Sequence, residues 1–406
     1  MTAQPRSVIV AAVRTPVGKF GGAFREVPAV ELGAAAIRAV LDRAAAGSKL
    51  GDPAALGDHV DYVLMGHVLQ AGAGQNTARQ AAVAGGLPAH VPAMTLNKVC
   101  LASLSAVALA DQLIRAGEIE VAVAGGMESM SQAPYVAPHV RWGSALGDRP
   151  LVDTMVHDGL WSTFTGQHMG ESSDDINATL RITRAEQDAW AARSHQRAAD
   201  AWTAGRFEPE VVPVETSSRP GPVIVARDEG IRATTTLEGL AALPAAFHPN
   251  GTITAGNASQ LSDGAAALIV MRADRAEAMG IDPLVEILAH GMCADDFAWL
   301  HTVPAVALQR ALKKASVGPD DLGVVEINEA FASVALHATR MLEADEAIVN
   351  VNGGSVALGH ALGATGARMT ATLVHEMVRR QATFGGVTLC GGGGQGEALV
   401  LRLAQS

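Results

Sequence analysis

Cysteine is the residue type in this chain best able to form a covalent intermediate, and Cys100 has the most suggestive position. It stands in the run "VCLASLSAVALA", which is apolar apart from its serines, so a helix there would be buried on every side. Free N–H groups and the helix dipole at such an N-terminus would stabilise a nucleophilic thiolate. The position alone favours a simple core residue, since free cysteine is among the most often buried residue types.

A second cysteine, Cys390, ends the apolar run "GVTLC" and is followed by "GGGGQGEA". Consecutive glycines let the backbone approach a ligand closely and direct N–H groups at it, which could form an oxyanion hole. A phosphate-binding loop or a tight hairpin is the alternative. The absence of a Lys-Ser/Thr pair and of a long following helix argues against a nucleotide-phosphate loop.

Two polar side chains stand at comparable junctions. His360 lies in "NVNGGSVALGHALGATGARM", between a glycine-rich loop and a predicted helix start, and is a candidate acid or base. Asn328, in "EINEAFA", follows a predicted buried strand and precedes an apolar helix. A structural histidine and a helix-capping asparagine are the alternatives. Cys293 has no such setting and is interpreted as a bystander.

The segments around these residues predict an α/β fold with an internal duplication. Strand-like and helix-like segments alternate over the first 129 residues, which is typical of a parallel or mixed sheet covered by helices. From Met130 to Gly256 the pattern breaks into a loop-rich insertion with one polar helix, "TRAEQDAWAARSHQRAADAWTAG". From Leu284 the opening order of strands and helices returns, which predicts two similar halves whose equivalent loops converge on one site.

Composition excludes several function classes. The chain has 406 residues, 49% of them hydrophobic, and a net charge of −11, which argues against nucleic acid or an anionic membrane as a partner. Three cysteines build no disulfide framework, and neither cysteines nor histidines have metal-site spacing. The apolar run Val8 to Val13 is too short to span a membrane and lacks a signal-peptide cleavage pattern, so we expect a cytoplasmic protein.

Ten stretches, in order along the chain, resemble the thiolase family of acetyl-CoA acetyltransferases and 3-ketoacyl-CoA thiolases. They are "RTPVGKFGG", "GHVLQAGAGQNTARQAA", "NKVC", "AGGMESMSQAPY", "HMG", "DEGIR", "GTITAGNASQLSDGAAA", "EINEAFA", "NVNGGSVALGHALG" and "LCGGGGQGEA". The resemblance implies a duplicated, five-layered αβαβα fold. It implies an N-terminal half over 1–129 and 260–282, an inserted loop domain over 130–259 for coenzyme A (CoA) binding and oligomerisation, and a C-terminal half over 283–406. It also implies a homotetramer, a dimer of dimers.

The resemblance further implies thiolytic cleavage of 3-ketoacyl-CoA and the reverse Claisen condensation, with acetyl-CoA as the expected acyl donor and a role in fatty acid metabolism. Cys100 would be the acyl-accepting nucleophile, His360 would take its proton, and Cys390 would be the second acid/base. Asn328 would hold a water that binds the enolate oxygen together with His360. The N–H groups of Cys100 and Gly392 would form the other oxyanion hole.

The same resemblance assigns the CoA-binding residues and the cofactor requirement. Arg232 would lie near the adenine end, Ser259 would contact the pantetheine arm, His168 would lie close to that arm, and Met169 would wall the acyl pocket. A solvated surface arginine is the alternative for Arg232. No metal or prosthetic group is expected, because CoA is the substrate carrier.

The chain departs from the family pattern beside its two central residues. Ala102 and Ser103 replace the usual Ser-Gly after the nucleophile, and Ala361 replaces the proline that follows the histidine. The stretch "HGMCADDFAWLHTVPAVAL" lacks the Pro-x-x-Met-Gly-x-Gly-Pro pattern common in acetoacetyl-CoA thiolases, which leaves the acyl chain length open. A non-catalytic acyl-CoA-binding paralogue or assembly subunit is the rival reading, and a ketosynthase-type condensing enzyme a lesser one.

Overall fold

The computed structural model describes residues 5–216 and 221–404, and its centre is a long path of hydrogen-bonded strands. Their apolar sequences are buried almost throughout because helices cover both faces. The nine strands of this path are β1 (Ser7–Arg14), β2 (Tyr62–Gly66), β3 (Ala93–Leu96), β4 (Val121–Ser129), β5 (Ser262–Arg272), β6 (Val285–Ala294), β7 (Leu322–Ile327), β8 (Phe384–Gly391) and β9 (Gln395–Leu403).

The strand order is the same in both halves of the chain. Neighbours follow the order β7-β8-β9-β6-β1-β5-β4-β2-β3. From the centre outward, β1–β5 and β5–β4 are antiparallel and β4–β2 is parallel, while β6–β9 and β9–β8 are antiparallel and β8–β7 is parallel. Even the outermost parallel pair, β2–β3, has a counterpart in the parallel bridge between Val325 and Val349. The predicted duplication is confirmed.

Helices form three layers around the strands. Within the described ranges, those of eight or more residues are α1 (Ala29–Ala46), α2 (Thr77–Ala84), α3 (Ala102–Ala116), α4 (Met169–Leu180), α5 (Arg184–Thr203), α6 (Val303–Ala315), α7 (Ala332–Met341) and α8 (Thr365–Arg380). Helices α1 and α2 pack on the outer face of the N-terminal half, and α6 and α7 on that of the C-terminal half. The αβαβα arrangement expected of the fold is therefore present.

The middle layer consists of α3 and α8, which contact each other between the two sets of strands. Each half contributes inward-facing residues to the core around them, such as Leu268 of β5 and Leu399 of β9. The first turns of α3 are apolar apart from serines and are mostly buried, whereas its last turns carry Asp111, Gln112 and Arg115, of which Gln112 is exposed. The window Val99–Ala116 is long and apolar enough to cross a membrane, but 61% of it is buried inside the fold, as in the core helix of a soluble protein.

The region between β4 and β5 is rich in loops, as predicted. Its strands are only two or three residues long: Tyr135–Val136, Val152–Asp153, Trp161–Ser162, Gln167–His168, Val214–Thr216 and Val223–Val225. It holds two long helices, α4 and α5, whereas the sequence predicted only the one that became α5. The predicted boundaries at 129 and 260 lie near the end of β4 and the start of β5, and the three-domain division stays a prediction.

Candidate active site

A cavity of about 240 Å³ opens where loops of both halves and the inserted region meet. Its lining is mainly apolar and includes Phe247 and Phe331. Five residues predicted from the sequence also line it: Cys100, His360, Ser259, His168 and Met169. The fold therefore brings together residues from four separate stretches of the chain, as the convergence of equivalent loops predicts.

Cys100 lies two residues before α3, in a loop where Val99 has a positive φ of 50°. The backbone N–H groups of Cys100 and Gly392 lie near the Cys100 sulfur and lower the pKa of the thiol, which favours the thiolate. Burial opposes them and raises the pKa of the thiol to about 12, with a further rise from the Glu128 carboxylate. The N–H groups thus act in the direction expected of a helix terminus, but burial has the larger effect on the pKa of the thiol.

The hydrogen bonds of His360 define which ring nitrogen carries its proton. The Nδ1 atom lies 2.7 Å from Thr365 Oγ1, and that hydroxyl donates its hydrogen to the Ala361 carbonyl at 2.9 Å. Thr365 must therefore accept from Nδ1–H, which leaves Nε2 with a free lone pair. Nε2 is buried without a partner among the described residues, and burial, then the nearby charge of Arg368, lowers the His360 pKa to about 3. The imidazole is a neutral proton acceptor.

Cys390 occupies the end of β8 and is almost fully buried. It packs with Phe331 and Val334 behind the cavity instead of lining it. Burial, followed by the charge of Cys100, raises the pKa of its thiol. The two thiols thus lie close enough for the ionisation of one to oppose that of the other.

Asn328 is the first residue after β7 and is buried. Its Oδ1 accepts from Ser355 Oγ at 2.6 Å, while its Nδ2 has no partner in the described part of the chain. The next helix, α7, begins only at Ala332, after Phe331 at its N-cap. Asn328 therefore caps no helix, and its amide hydrogens remain available.

The four residues assigned to CoA binding do not share one cavity. His168 caps α4, where its Nδ1 accepts from the Gly170 N–H at 3.0 Å, and its ring stacks on Phe247 with centroids 4.7 Å apart. Ser259 is held through its N–H on the Ala330 carbonyl at 3.0 Å. Arg232 is exposed and lines a separate cavity of about 390 Å³. Its predicted place, away from the reacting end of the ligand, is compatible with that separation.

Glu128 is a buried residue beside the site that sequence reasoning missed. Its carboxylate accepts the backbone N–H groups of Val68 and Leu69 at 3.1 Å and of Gly363 at 2.8 Å. It therefore ties the loop after β2 to the loop that carries His360. Burial raises its pKa to about 7. The available signal was a lone acid in the otherwise apolar "VAVAGGMES".

The departures after the nucleophile are accommodated in the fold. The Ser103 hydroxyl accepts the N–H of Ala367 at 3.0 Å, which satisfies one of the free N–H groups in the first turn of α8. The bulk of Ser103 faces Gly126, where an added Cβ would come within 2.7 Å of the serine Cβ. A small residue at Gly126 thus leaves room for the larger residue at 103.

Across the described residues, no group of three or more His, Cys, Asp or Glu side chains is arranged to hold a metal ion. The polar groups that line the cavity include the Cys100 thiol and the His360 imidazole, and backbone N–H groups lie beside the thiol. Such groups suit a nucleophile, a proton acceptor and donors to a developing oxyanion.

Sequence models of one family match almost the whole chain. The model described as "Thiolase, N-terminal domain" matches residues 7–274, and "Thiolase, C-terminal domain" matches residues 281–403. The chain belongs to the thiolase family. It is accordingly an enzyme, an acyltransferase.

Relatives and a solved structure agree with this membership. The thiolase is 52% identical over 396 residues to a probable acetyl-CoA acetyltransferase of Mycolicibacterium smegmatis, covering 97% of this chain and 100% of the relative. It is 49% identical to an acetyl-CoA acetyltransferase of Pseudomonas aeruginosa, covering 97% and 98%. A crystal structure of the Bacillus anthracis acetyl-CoA acetyltransferase matches with a TM-score of 0.94 at 38% identity and covers both chains completely.

Proposed function

We propose that this thiolase cleaves 3-ketoacyl-CoA with CoA, and catalyses the reverse condensation of two acyl-CoA molecules, through an acyl-enzyme on Cys100. One observation carries the proposal. The Cys100 thiol lies on an apolar cavity together with His360, whose Nε2 is unprotonated and unpartnered. A nucleophile and a neutral base on one cavity are the minimum for acyl transfer from a thioester.

Acylation begins when His360 Nε2 takes the Cys100 proton as the sulfur attacks the thioester carbonyl. Because the pKa of the thiol is about 12, the thiolate develops together with this proton transfer rather than before it. The N–H groups of Cys100 and Gly392 lie near the sulfur and can donate to the oxyanion that forms next to it. The carbon–sulfur bond to CoA breaks, and the leaving thiolate takes a proton from Cys390.

Condensation uses the thiolate left on Cys390. Acylation has turned Cys100 into a neutral thioester that cannot ionise, so no Cys100 thiolate can oppose the charge on Cys390. Cys390 takes the α-proton of the second acyl-CoA, and protonated His360 and a water on Asn328 stabilise the enolate oxygen. The enolate carbon attacks the acyl group, Cys100 leaves as a thiolate, and His360 returns its proton.

Acetyl-CoA is the acyl donor that we propose, with acetoacetyl-CoA as the product of condensation. The names of the relatives from Mycolicibacterium smegmatis and Pseudomonas aeruginosa support this choice. A relative from Staphylococcus epidermidis is named a probable acetyl-CoA acyltransferase, so longer chains need a direct comparison. Thiolysis rates for 3-ketoacyl-CoA substrates of increasing length would define the preference.

The test compares Cys100→Ser with Cys293→Ser. After incubation with acetyl-CoA, intact-mass spectrometry should show one added acetyl group on the wild type and on Cys293→Ser, and none on Cys100→Ser. Cys293 is a matched control because its thiol is partly buried and donates to the Val303 carbonyl, away from the cavity lining. Thiolysis should be lost only in Cys100→Ser.

Two outcomes would overturn the proposal. Undiminished turnover of Cys100→Ser would remove Cys100 from the reaction. Tight binding of acyl-CoA without any adduct or turnover in the wild type would instead favour a non-catalytic acyl-CoA-binding paralogue or assembly subunit.

We also propose a homotetramer. Several large apolar side chains of the inserted region are exposed in the single chain, which is typical of a surface that another copy covers. They are Tyr135, Trp142, Leu146 and Leu151. Light scattering on the purified protein gives the oligomeric state directly. The cytoplasmic location and the role in fatty acid metabolism stay predictions.

A further inference from the structure

We propose that Ser355 and Arg368 are positioning residues that fix the side-chain amide of Asn328, so that its N–H groups and not its carbonyl are available to the reaction. The inference rests on the proposed function, in which Asn328 acts on the enolate oxygen. It concerns two buried residues that are not among those lining the cavity.

The direction of the hydrogen bonds follows from what each group can do. A guanidinium only donates, so the 2.8 Å bond from Arg368 Nη2 makes Ser355 Oγ an acceptor. The Ser355 hydrogen must then go to another acceptor, and Asn328 Oδ1 lies 2.6 Å away. The carbonyl of Asn328 is thereby held toward Ser355, and Nδ2 is turned the other way.

Burial makes this orientation consequential. Ser355 is fully buried, Asn328 is 1% exposed and Arg368 is 3% exposed, so bulk water cannot substitute for either hydrogen bond. Within residues 5–216 and 221–404, Asn328 Nδ2 has no partner, and a buried amide without one is costly. A free donor next to Ala330 and Phe331, which line the cavity, fits a group whose partner arrives with the substrate.

The Arg368 guanidinium is buried near the carboxylates of Glu326, Glu210 and Glu329, which partly compensate its charge. Its Nη1 lies 3.8 Å from Glu326 Oε2, beyond hydrogen-bond distance, and has no hydrogen-bond partner among the described residues. Arg368 also lies in the first turn of α8, where the helix dipole disfavours a cation. A charge in such a position polarises the Ser355 hydroxyl and, through it, the Asn328 amide toward stronger N–H donation.

Removing the Ser355 hydroxyl would let the Asn328 amide rotate and present its carbonyl, instead of its N–H groups, to the water that binds the enolate oxygen. Loss of an oxyanion donor itself costs roughly 100-fold to 1000-fold in kcat. Loss of the group that orients it should cost less, so we expect condensation by Ser355→Ala to slow about 10-fold. Formation of the acetyl adduct on Cys100 should keep its rate, because the proposed acylation step does not use Asn328.

The experiment measures both half-reactions and KM for Ser355→Ala, Ser355→Cys and the control Ser333→Ala. Ser333 is equally buried, and its hydroxyl contacts His301 rather than Asn328. Ser355→Cys keeps the volume but donates weakly. If hydrogen bonding is the cause, Ser355→Cys stays slow in condensation, KM changes little, and Ser333→Ala condenses at the wild-type rate.

A double-mutant cycle with Asn328→Ala decides whether Ser355 acts through Asn328. In the Asn328→Ala background, Ser355→Ala should change kcat less than about twofold. Equal losses in both backgrounds, recovery in Ser355→Cys or equal slowing of both half-reactions would each overturn the inference. Absence of a wild-type adduct would refute the proposed function instead, so the two failures are distinguishable.

Discussion

The hydroxyl of Thr365 should control the basicity of the active site, and Thr365→Val tests this directly. Valine keeps the branched shape but removes the oxygen that accepts from His360 Nδ1–H. Because His360 is only 5% exposed, the ring proton then has two poor choices: to stay on Nδ1 without a partner, or to move to Nε2 and abolish the base.

The size of the effect follows from that unsatisfied group. A buried donor left without an acceptor costs about 1–3 kcal/mol. If about 2 kcal/mol of this favours the Nε2–H tautomer, the fraction of competent enzyme falls about 30-fold. We therefore expect kcat for thiolysis and the rate of Cys100 acetylation to fall about 30-fold, with little change in KM.

Helix α8 offers a close control. The Thr370 hydroxyl is also buried and donates to a carbonyl four residues back, that of Gly366, as Thr365 does to Ala361. Thr370→Val thus removes the same kind of helix hydrogen bond without touching a histidine. Rates would be followed by loss of acetoacetyl-CoA absorbance, and Thr365→Ser should recover most of the activity. Equal rates for the two valine variants would refute the reasoning about the tautomer.

Two further predictions concern buried charge. The pKa of Glu128 is raised from about 4.5 to about 7, so between these pH values the folded chain holds a proton that the unfolded chain has lost, and stability should fall as pH rises through that window. Glu128→Gln should remove up to about 3 kcal/mol of this decline in urea unfolding across pH 4.5–7.5, and an unaltered decline would count against it. Arg14 is buried between Glu210 and Asp228, so Arg14→Met should lower the free energy of unfolding by about 3–5 kcal/mol. The exposed Arg25→Met serves as its control, and similar losses in both variants would contradict the prediction.

Much of the architecture could be predicted because apolar runs bounded by glycines are strong local signals. The repeated order of strand-like and helix-like segments along the sequence predicts the duplication. Helix α4 was missed because its sequence "MGESSDDINATL" is polar and its N-cap is a histidine, an unusual capping residue. Local signals do not reveal a helix whose start depends on an unfamiliar cap.

Properties that depend on burial were beyond the sequence. The N–H groups beside Cys100 lower the pKa of its thiol as expected, but the larger and opposite effect of burial emerges only when both halves close around the thiol. The sequence motifs also do not show that Arg232 and Cys100 line different cavities, because a motif carries no information about distances in the folded chain. Thr365 and Ser355 lie in the same glycine-rich stretch as His360, but the sequence does not show that their hydroxyls contact His360 and Asn328.

The matched strand order also aligns individual positions of the two halves. The last paired residues are Gly66 with Gly126 in β2–β4, and Ile327 with Thr388 in β7–β8. His67 directly follows Gly66 in the N-terminal half, and Asn328 directly follows Ile327 in the C-terminal half, so the two residues are equivalent.

Glu128 and Cys390 are equivalent in the same way, because each lies two residues after the last paired residue of its strand, Gly126 and Thr388 respectively. His67 Nε2 lies 3.4 Å from Glu128 Oε1, so in the N-terminal half these two positions carry a buried polar pair that holds loops. In the C-terminal half the same two positions carry candidate reacting groups. The two halves therefore use equivalent positions differently, one pair for loop contacts and the other for chemistry. A substitution tolerated at His67 or Glu128 does not predict tolerance at Asn328 or Cys390.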